Sequence, residues 1–189
     1  DIETTGLNFH CDKIIEIAAH KFVDGRIQDS YKTLINPNQN LNSFIIELTG
    51  INNEMLINQP TFQEIEEDFL NFIDDCPLVG HNIIFDLNFL SHFSIQFKKN
   101  LNIDKACDTY ILSKIFCYSL SSFSLQSMCK YYEIDIKLLH RADIDALNCG
   151  KLFLKLVDES SKNNISLIQE TSNYCKRYKI PNGLLLENI

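Results

Sequence analysis

The sequence predicts an α/β domain whose mixed sheet contains an antiparallel hairpin. Two observations carry this. Strand-like runs crowd into the first forty or so residues while helical periodicities dominate thereafter. Within the strand-rich part, Ile14 to Val23 and Arg26 to Ile35 flank Asp24-Gly25, a strong hairpin signal between apolar runs. At 189 residues the chain has the length of one domain, read as 1–157, followed by a tail at 158–189. Its 45% hydrophobic residues, including 13 Phe, suffice for a substantial core.

The elements follow in order. Asn36-Pro37 ends the second hairpin strand, and the Asn-rich stretch to about Ser43 reads as a loop. Thr61 and Glu64 have the spacing of a capping box, and Phe62, Ile65, Phe69, Leu70 and Ile73 then repeat at helical intervals, predicting a helix over Phe62 to Asp75. Beyond Pro77, Leu78 and Val79 form a short buried strand leading into a helix that carries Phe85, Phe89 and Phe93 on one side. Thr109 to Tyr118 and Ser124 to Tyr132 are further helices, the second lined by Leu125, Met128, Cys129 and Tyr132. A last helix runs from Ala142 to Val157 with Ala146, Cys149, Phe153 and Val157 inward. In the tail, Ile180-Pro181-Asn182-Gly183 is a helix stop, and Lys176-Arg177-Tyr178-Lys179 is the most basic spot. The tail is expected to be a peripheral helix and linker leading to another domain.

Composition removes several classes of function. No run approaches the roughly 18 apolar residues of a membrane helix, so no membrane partner is expected. Seven scattered cysteines without a CxxC pair suit reduced thiols and a cytoplasmic location better than a disulfide framework or structural zinc. With 17 Lys+Arg against 25 Asp+Glu, the net charge of −8 disfavours a broad phosphate-binding surface, so any nucleic-acid contact should be small or metal-mediated. No GxxxxGK[ST] loop supports a nucleotide triphosphatase.

Three segments carry chemistry. Asp1-Ile2-Glu3-Thr4-Thr5-Gly6-Leu7 places Asp1 and Glu3 on one face of an extended strand, where two carboxylates call for a cation, although an Asp-x-Glu pair taken alone is more often a solvated strand end. In His81-Asn82-Ile83-Ile84-Phe85-Asp86, Asp86 stands among apolar residues, a place where carboxylates have a partner or a metal. In His140-Arg141-Ala142-Asp143-Ile144-Asp145, Asp145 falls in the first turn of the last helix, favoured there by the helix dipole, with His140 just ahead of it.

Together, and in this order, the segments resemble the DnaQ-like 3′-5′ exonucleases of the DEDDh group, which includes the proofreading subunits of bacterial replicative polymerases. Ile14-Ile15-Glu16-Ile17, Leu34-Ile35-Asn36-Pro37, Leu48-Thr49-Gly50-Ile51 and Asp108-Thr109 are similar as well. The resemblance covers roughly Asp1 to Leu154. It implies a ribonuclease H-like fold, a five-stranded mixed sheet with helices on both sides. It also implies that Asp1, Glu3, Asp86 and Asp145 hold two Mg²⁺ or Mn²⁺ ions, hard cations suited to oxygen ligands, and that His140 is the general base. Thr4, Thr5, Gly6 and Leu7 match the segment that contacts the terminal nucleotide, Leu7 as a wedge against the base. His81, Asn82 and Phe85 complete the substrate-binding set.

Two features depart from the family pattern. Asp143 stands where relatives are often apolar, but the spacing and the following Ala146 assign the metal to Asp145 and leave Asp143 as a helix cap. The chain also opens at its first ligand, and is therefore expected to be a segment of a longer polypeptide. The implied activity is hydrolysis of single-stranded or frayed DNA 3′ ends to nucleoside 5′-monophosphates in proofreading or repair. A polymerase or helicase is the expected partner, in trans or fused, with the helicase fusion slightly preferred. The alternatives are an RNA-trimming exoribonuclease, since no residue visibly reads the 2′-hydroxyl, and a silent nucleic-acid-binding module.

Overall fold

The structure is a computed structural model, and it describes residues 1–74, 76–100, 106–135, 140–162 and 177. The chain divides into two compact units. One comprises 1–75, 84–101 and 137–147, and the other 76–83, 102–136 and 148–189.

In the first unit, β1 (Ile2–Thr4), β2 (Ile14–Val23) and β3 (Arg26–Leu34) form an antiparallel sheet in the order β1-β2-β3. The hairpin turn is the expected one: Asp24 and Gly25 are both left-handed, at φ 50° and 72°, as a turn matching the strand twist requires. The β1–β2 register pairs Ile2 with Ile17 and Glu3 with Glu16, and slips between Glu3 and Thr4, where the strand leaves the ladder. Two short helices, α1 (Ser43–Thr49) and α2 (Asn53–Leu56), follow the hairpin. Ile45 of α1, Leu56 of α2 and Ile51 between them pack with Ile15 and Leu41 into a buried cluster. Helix α3 (Phe62–Ile73) begins where expected, with Glu64 accepting from the Thr61 backbone N–H at 2.7 Å and from its hydroxyl at 2.8 Å. Helix α4 (Ile84–Phe93) carries Asp86 in its first turn and is followed by α5 (Ile95–Asn100). Phe93 of α4 meets Phe62 of α3 at 5.9 Å between ring centroids.

The second unit holds β4 (Leu78–Gly80) and β5 (Ala106–Asp108), paired in parallel. Helices α6 (Thr109–Phe116) and α7 (Leu125–Tyr131) belong to this unit together with most of α8 (Ala142–Lys162), whose first turns belong to the first unit. Its core joins Cys107, Leu112, Met128, Cys129, Leu152 and Leu156. The six cysteines among the described residues are free thiols, four of them buried.

Four expectations change. Among the described residues the strands pair as three and two, not as a single five-stranded sheet; β1, β4 and β5 are three residues each, which leaves little ladder to extend. The helices α1 and α2 lie where the sequence offered no periodic stripe. Helix α8 runs to Lys162, past the expected helix end at Val157. Its fully buried leucines are Leu152 and Leu156, whereas Phe153 and Val157 are half-buried. The remainder of the tail, apart from Arg177, lies outside the described residues.

Candidate active site

The site grows from β1. Asp1 extends the ladder by exchanging backbone bonds with Ala18, its α-amino group donating to the Ala18 carbonyl and the Ala18 N–H to its own, each at 3.0 Å. Asp1 and Glu3 therefore stand two residues apart on one strand, on one face. From the start of α8 come His140 and Asp145. One ligand atom each from Glu3, His140 and Asp145 lie within 4.8 Å of one another. Asp86, from the first turn of α4, is close enough to act electrostatically on Glu3.

The electrostatics are those of a crowded acidic cluster. Burial, followed by the charges of Asp145, Glu16 and Asp86, pushes the Glu3 carboxyl up to about 8. Asp145 is likewise raised by burial, against the opposing effect of the His140 N–H, which donates to its Oδ2 at 3.1 Å. Its other oxygen, Oδ1, is buried and has no hydrogen-bond partner. A buried orphan acceptor is costly unless something outside the protein satisfies it. Mutually repelling carboxylates, an orphan oxygen and hard oxygen donors together fit a divalent cation, which would satisfy the oxygen and neutralise the repulsion.

The segment after β1 is built by Asp12. Its carboxylate accepts from the Thr5 hydroxyl at 3.2 Å and the Asn8 N–H at 2.9 Å. A Cβ on Gly6 would lie 2.5 Å from the same carboxylate, so any side chain there would have to displace Asp12 from these bonds. Thr4 and Thr5 are buried, with the Thr4 hydroxyl donating to the Gly6 carbonyl at 2.5 Å and that of Thr5 accepting from the Lys13 N–H at 3.0 Å. Those hydroxyls shape the loop. Leu7 projects from it, 86% exposed.

In the second unit, His81 occupies a different setting. Its Nδ1 bonds the Thr109 hydroxyl and its Nε2 the Phe123 carbonyl, both at 2.9 Å, and burial pushes its pKa down to about 4. Both ring nitrogens are thus engaged within the protein, which leaves neither for a nucleotide. Asn82 is exposed and left-handed at φ 63°, with its N–H on the Asp108 carboxylate at 2.9 Å. Phe85, in the first unit, is half-buried against Phe89 at 4.9 Å.

One functional-looking side chain was given no role by sequence reasoning. Glu16 is buried in β2 and takes a forked bond from Arg141, with Nη2 at 2.7 Å and Nε at 3.1 and 3.2 Å. The signal was available, since a charge inside the apolar run of β2 demands a partner as much as Asp86 does. Asp143 makes ion pairs with Lys32 at 3.1 Å and His20 at 3.2 Å, so it joins the hairpin and not the acidic cluster.

A cluster of this kind on this fold has known counterparts. The exonuclease family of RNase T type matches residues 1–153. This chain belongs to that family. It is 36% identical over 174 residues to the PolC-type DNA polymerase III of Bacillus subtilis (strain 168), which covers 90% of this chain and 12% of the relative. To the PolC-type DNA polymerase III of Thermotoga maritima it is 37% identical over 173 residues, again 90% of this chain and 12% of the relative. The chain thus spans about an eighth of those relatives. Among solved structures, exonuclease X in complex with 5′ overhanging duplex DNA superposes with a TM-score of 0.67 at 20% identity, covering 92% of this chain and 96% of that one. Exonuclease I superposes at 0.68 with 16% identity, covering 86% and 42%. The fold is the ribonuclease H-like fold of these exonucleases, and the family is one that depends on divalent metal.

Proposed function

We propose that this chain is the 3′-5′ exonuclease region of a larger replicative polymerase, removing nucleoside 5′-monophosphates from single-stranded or frayed DNA ends during proofreading. The observation that carries the reading is the convergence of Glu3, His140 and Asp145 around a buried, unpaired Asp145 oxygen. Asp1, Glu3, Asp86 and Asp145 would hold two Mg²⁺ or Mn²⁺ ions, which supply Lewis-acid polarisation of the scissile phosphate when bound. His140, exposed at the rim of the cluster, accepts the proton of the attacking water. The ordered 5–12 loop presents Leu7 to the terminal base, and Gly6 lets the backbone approach. Asn82 and Phe85 complete the substrate set, with His81 supporting the turn that bears Asn82. The PolC-type relatives favour a polymerase neighbour over the helicase fusion expected from sequence.

The test is hydrolysis of single-stranded DNA labelled at its 5′ end, with Mg²⁺, beside an RNA strand of the same sequence. A ladder of labelled products that shorten one nucleotide at a time is the expected result, with the DNA strand degraded faster. Early release of the labelled 5′ nucleotide would reverse the polarity, and faster loss of the RNA strand would favour the exoribonuclease.

A further inference from the structure

Glu16 sits in β2 at the position that faces Glu3 across the β1–β2 ladder, and only 4% of its surface is exposed. A carboxylate buried there, beside a like-charged cluster, needs strong donors to offset its desolvation. It receives them from two consecutive residues. Arg141 supplies its fork, the geometry that fixes direction as well as charge, and the Ala142 N–H donates to Oε2 at 2.9 Å.

Both donors directly follow His140, whose backbone is left-handed at φ 58°. A residue other than glycine stays in that region only when its surroundings over-determine it. The surroundings here are the Asp145 carboxylate on the His140 N–H and, one and two residues later, Glu16. We propose that Glu16 is a positioning residue for His140. Through Arg141 and Ala142 it holds the turn that keeps the imidazole against Glu3 and Asp145. The proposal rests on the reading of His140 as general base, and it extends that reading to a residue on the neighbouring strand.

The same turn provides an internal control. Asp143 ties the start of α8 to the hairpin through Lys32 and His20. If Glu16 only fastens α8 to the sheet, removing either tie should have the same kind of effect.

The experiment compares Glu16→Gln with Asp143→Asn in the 189-residue chain. Glu16→Gln should lower kcat on 5′-labelled single-stranded DNA by roughly 10- to 100-fold with KM changed by less than about twofold, the signature of a displaced catalytic group. In a His140→Ala background the Glu16→Gln loss should vanish, because the group through which it acts is gone. Asp143→Asn should lower the thermal midpoint and leave kcat unchanged. An independent readout uses the imidazole NMR signal of His140, assigned by its loss in His140→Ala. That signal should broaden or split in Glu16→Gln and stay single in Asp143→Asn, whether or not the chain hydrolyses DNA. Additive losses in the double variant, or an unperturbed His140 signal in Glu16→Gln, would overturn the proposal. Should Glu16→Gln fail to fold, Arg141→Lys, which keeps the charge but not the fork, must give the same non-additivity and the same broadening.

Discussion

Two turns in this molecule are built by the same device and put to opposite uses. At Asn82 and at His140, a residue other than glycine is held left-handed by a backbone N–H donated to a carboxylate, Asp108 in the first case and Asp145 in the second. Beside Asn82, His81 turns inward and both of its nitrogens find protein partners. At the other turn His140 is exposed, and the Asp145 carboxylate keeps one oxygen buried and unpaired. Asp108 accepts from backbone N–H groups that include those of Asn82 and Tyr110. The difference separates a polar group that completes the fold from one that waits for a ligand.

The comparison is broken most severely at Asp145. Asp145→Asn removes the charge that the cluster offers to a cation, and DNA hydrolysis should fall by on the order of 10³-fold or more, equivalent to the several kcal/mol that metal-assisted charge stabilisation supplies. Asp86→Ala should behave alike. A turnover within about tenfold of the parent in either variant would remove that residue from the metal set.

The histidines should then separate cleanly. His140→Ala should lose roughly 10² to 10⁴ in kcat, the usual contribution of a general base, with an unchanged melting temperature. His81→Ala should retain far more activity and instead lose about 1–3 kcal/mol of stability, because the Thr109 hydroxyl and Phe123 carbonyl are left without their partner. Chemical denaturation beside kinetics checks both, and equal kinetic losses would erase the contrast.

Acid and base should also act on the two sites with opposite sign. His81 has a folded pKa of about 4 against an ordinary 6.5, so the unfolded chain binds its proton first and stability is lost as pH falls from about 6.5 to 4. Glu3 has a folded pKa of about 8 against an ordinary 4.5, so without a cation its contribution erodes stability as pH rises through that interval. Melting curves across pH should show the first effect vanish in His81→Gln and the second diminish when Mg²⁺ is added. The smallest effect is expected of Asp143→Asn, whose pairs with the half-exposed Lys32 side and His20 should be worth about 1 kcal/mol or less.

Much of this was legible in the sequence, for reasons that differ by element. The hairpin was readable because Asp24-Gly25 fixes the turn between two apolar runs, although the pairing slips between Lys21 and Phe22. Helix α3 was readable because a capping box precedes a regular apolar stripe. Helices α1 and α2 were not, being seven and four residues long and lying in or beyond an Asn-rich stretch that reads as loop. Their signal was in the asparagines themselves: Asn42 caps Ile45 at 2.9 Å and Asn52 caps Met55 at 3.0 Å. In the site, Glu3, His140 and Asp145 followed from motif spacing, and the structure brings them together. The partner of Glu16 could not be read, because Arg141 lies 125 residues away in sequence and only the folded chain joins them. The engagement of His81 was hidden for the same reason, since Thr109 and Phe123 are distant along the chain.

The central claim is that the clustered carboxylates of β1, α4 and α8 are a cation site, and calorimetric titration of Mn²⁺ into the chain near pH 8 tests it most directly. The account predicts binding by the parent chain, binding retained in His140→Ala, and binding lost in Asp145→Asn. Failure of the parent chain to bind Mn²⁺, or undiminished binding by Asp145→Asn, would contradict it.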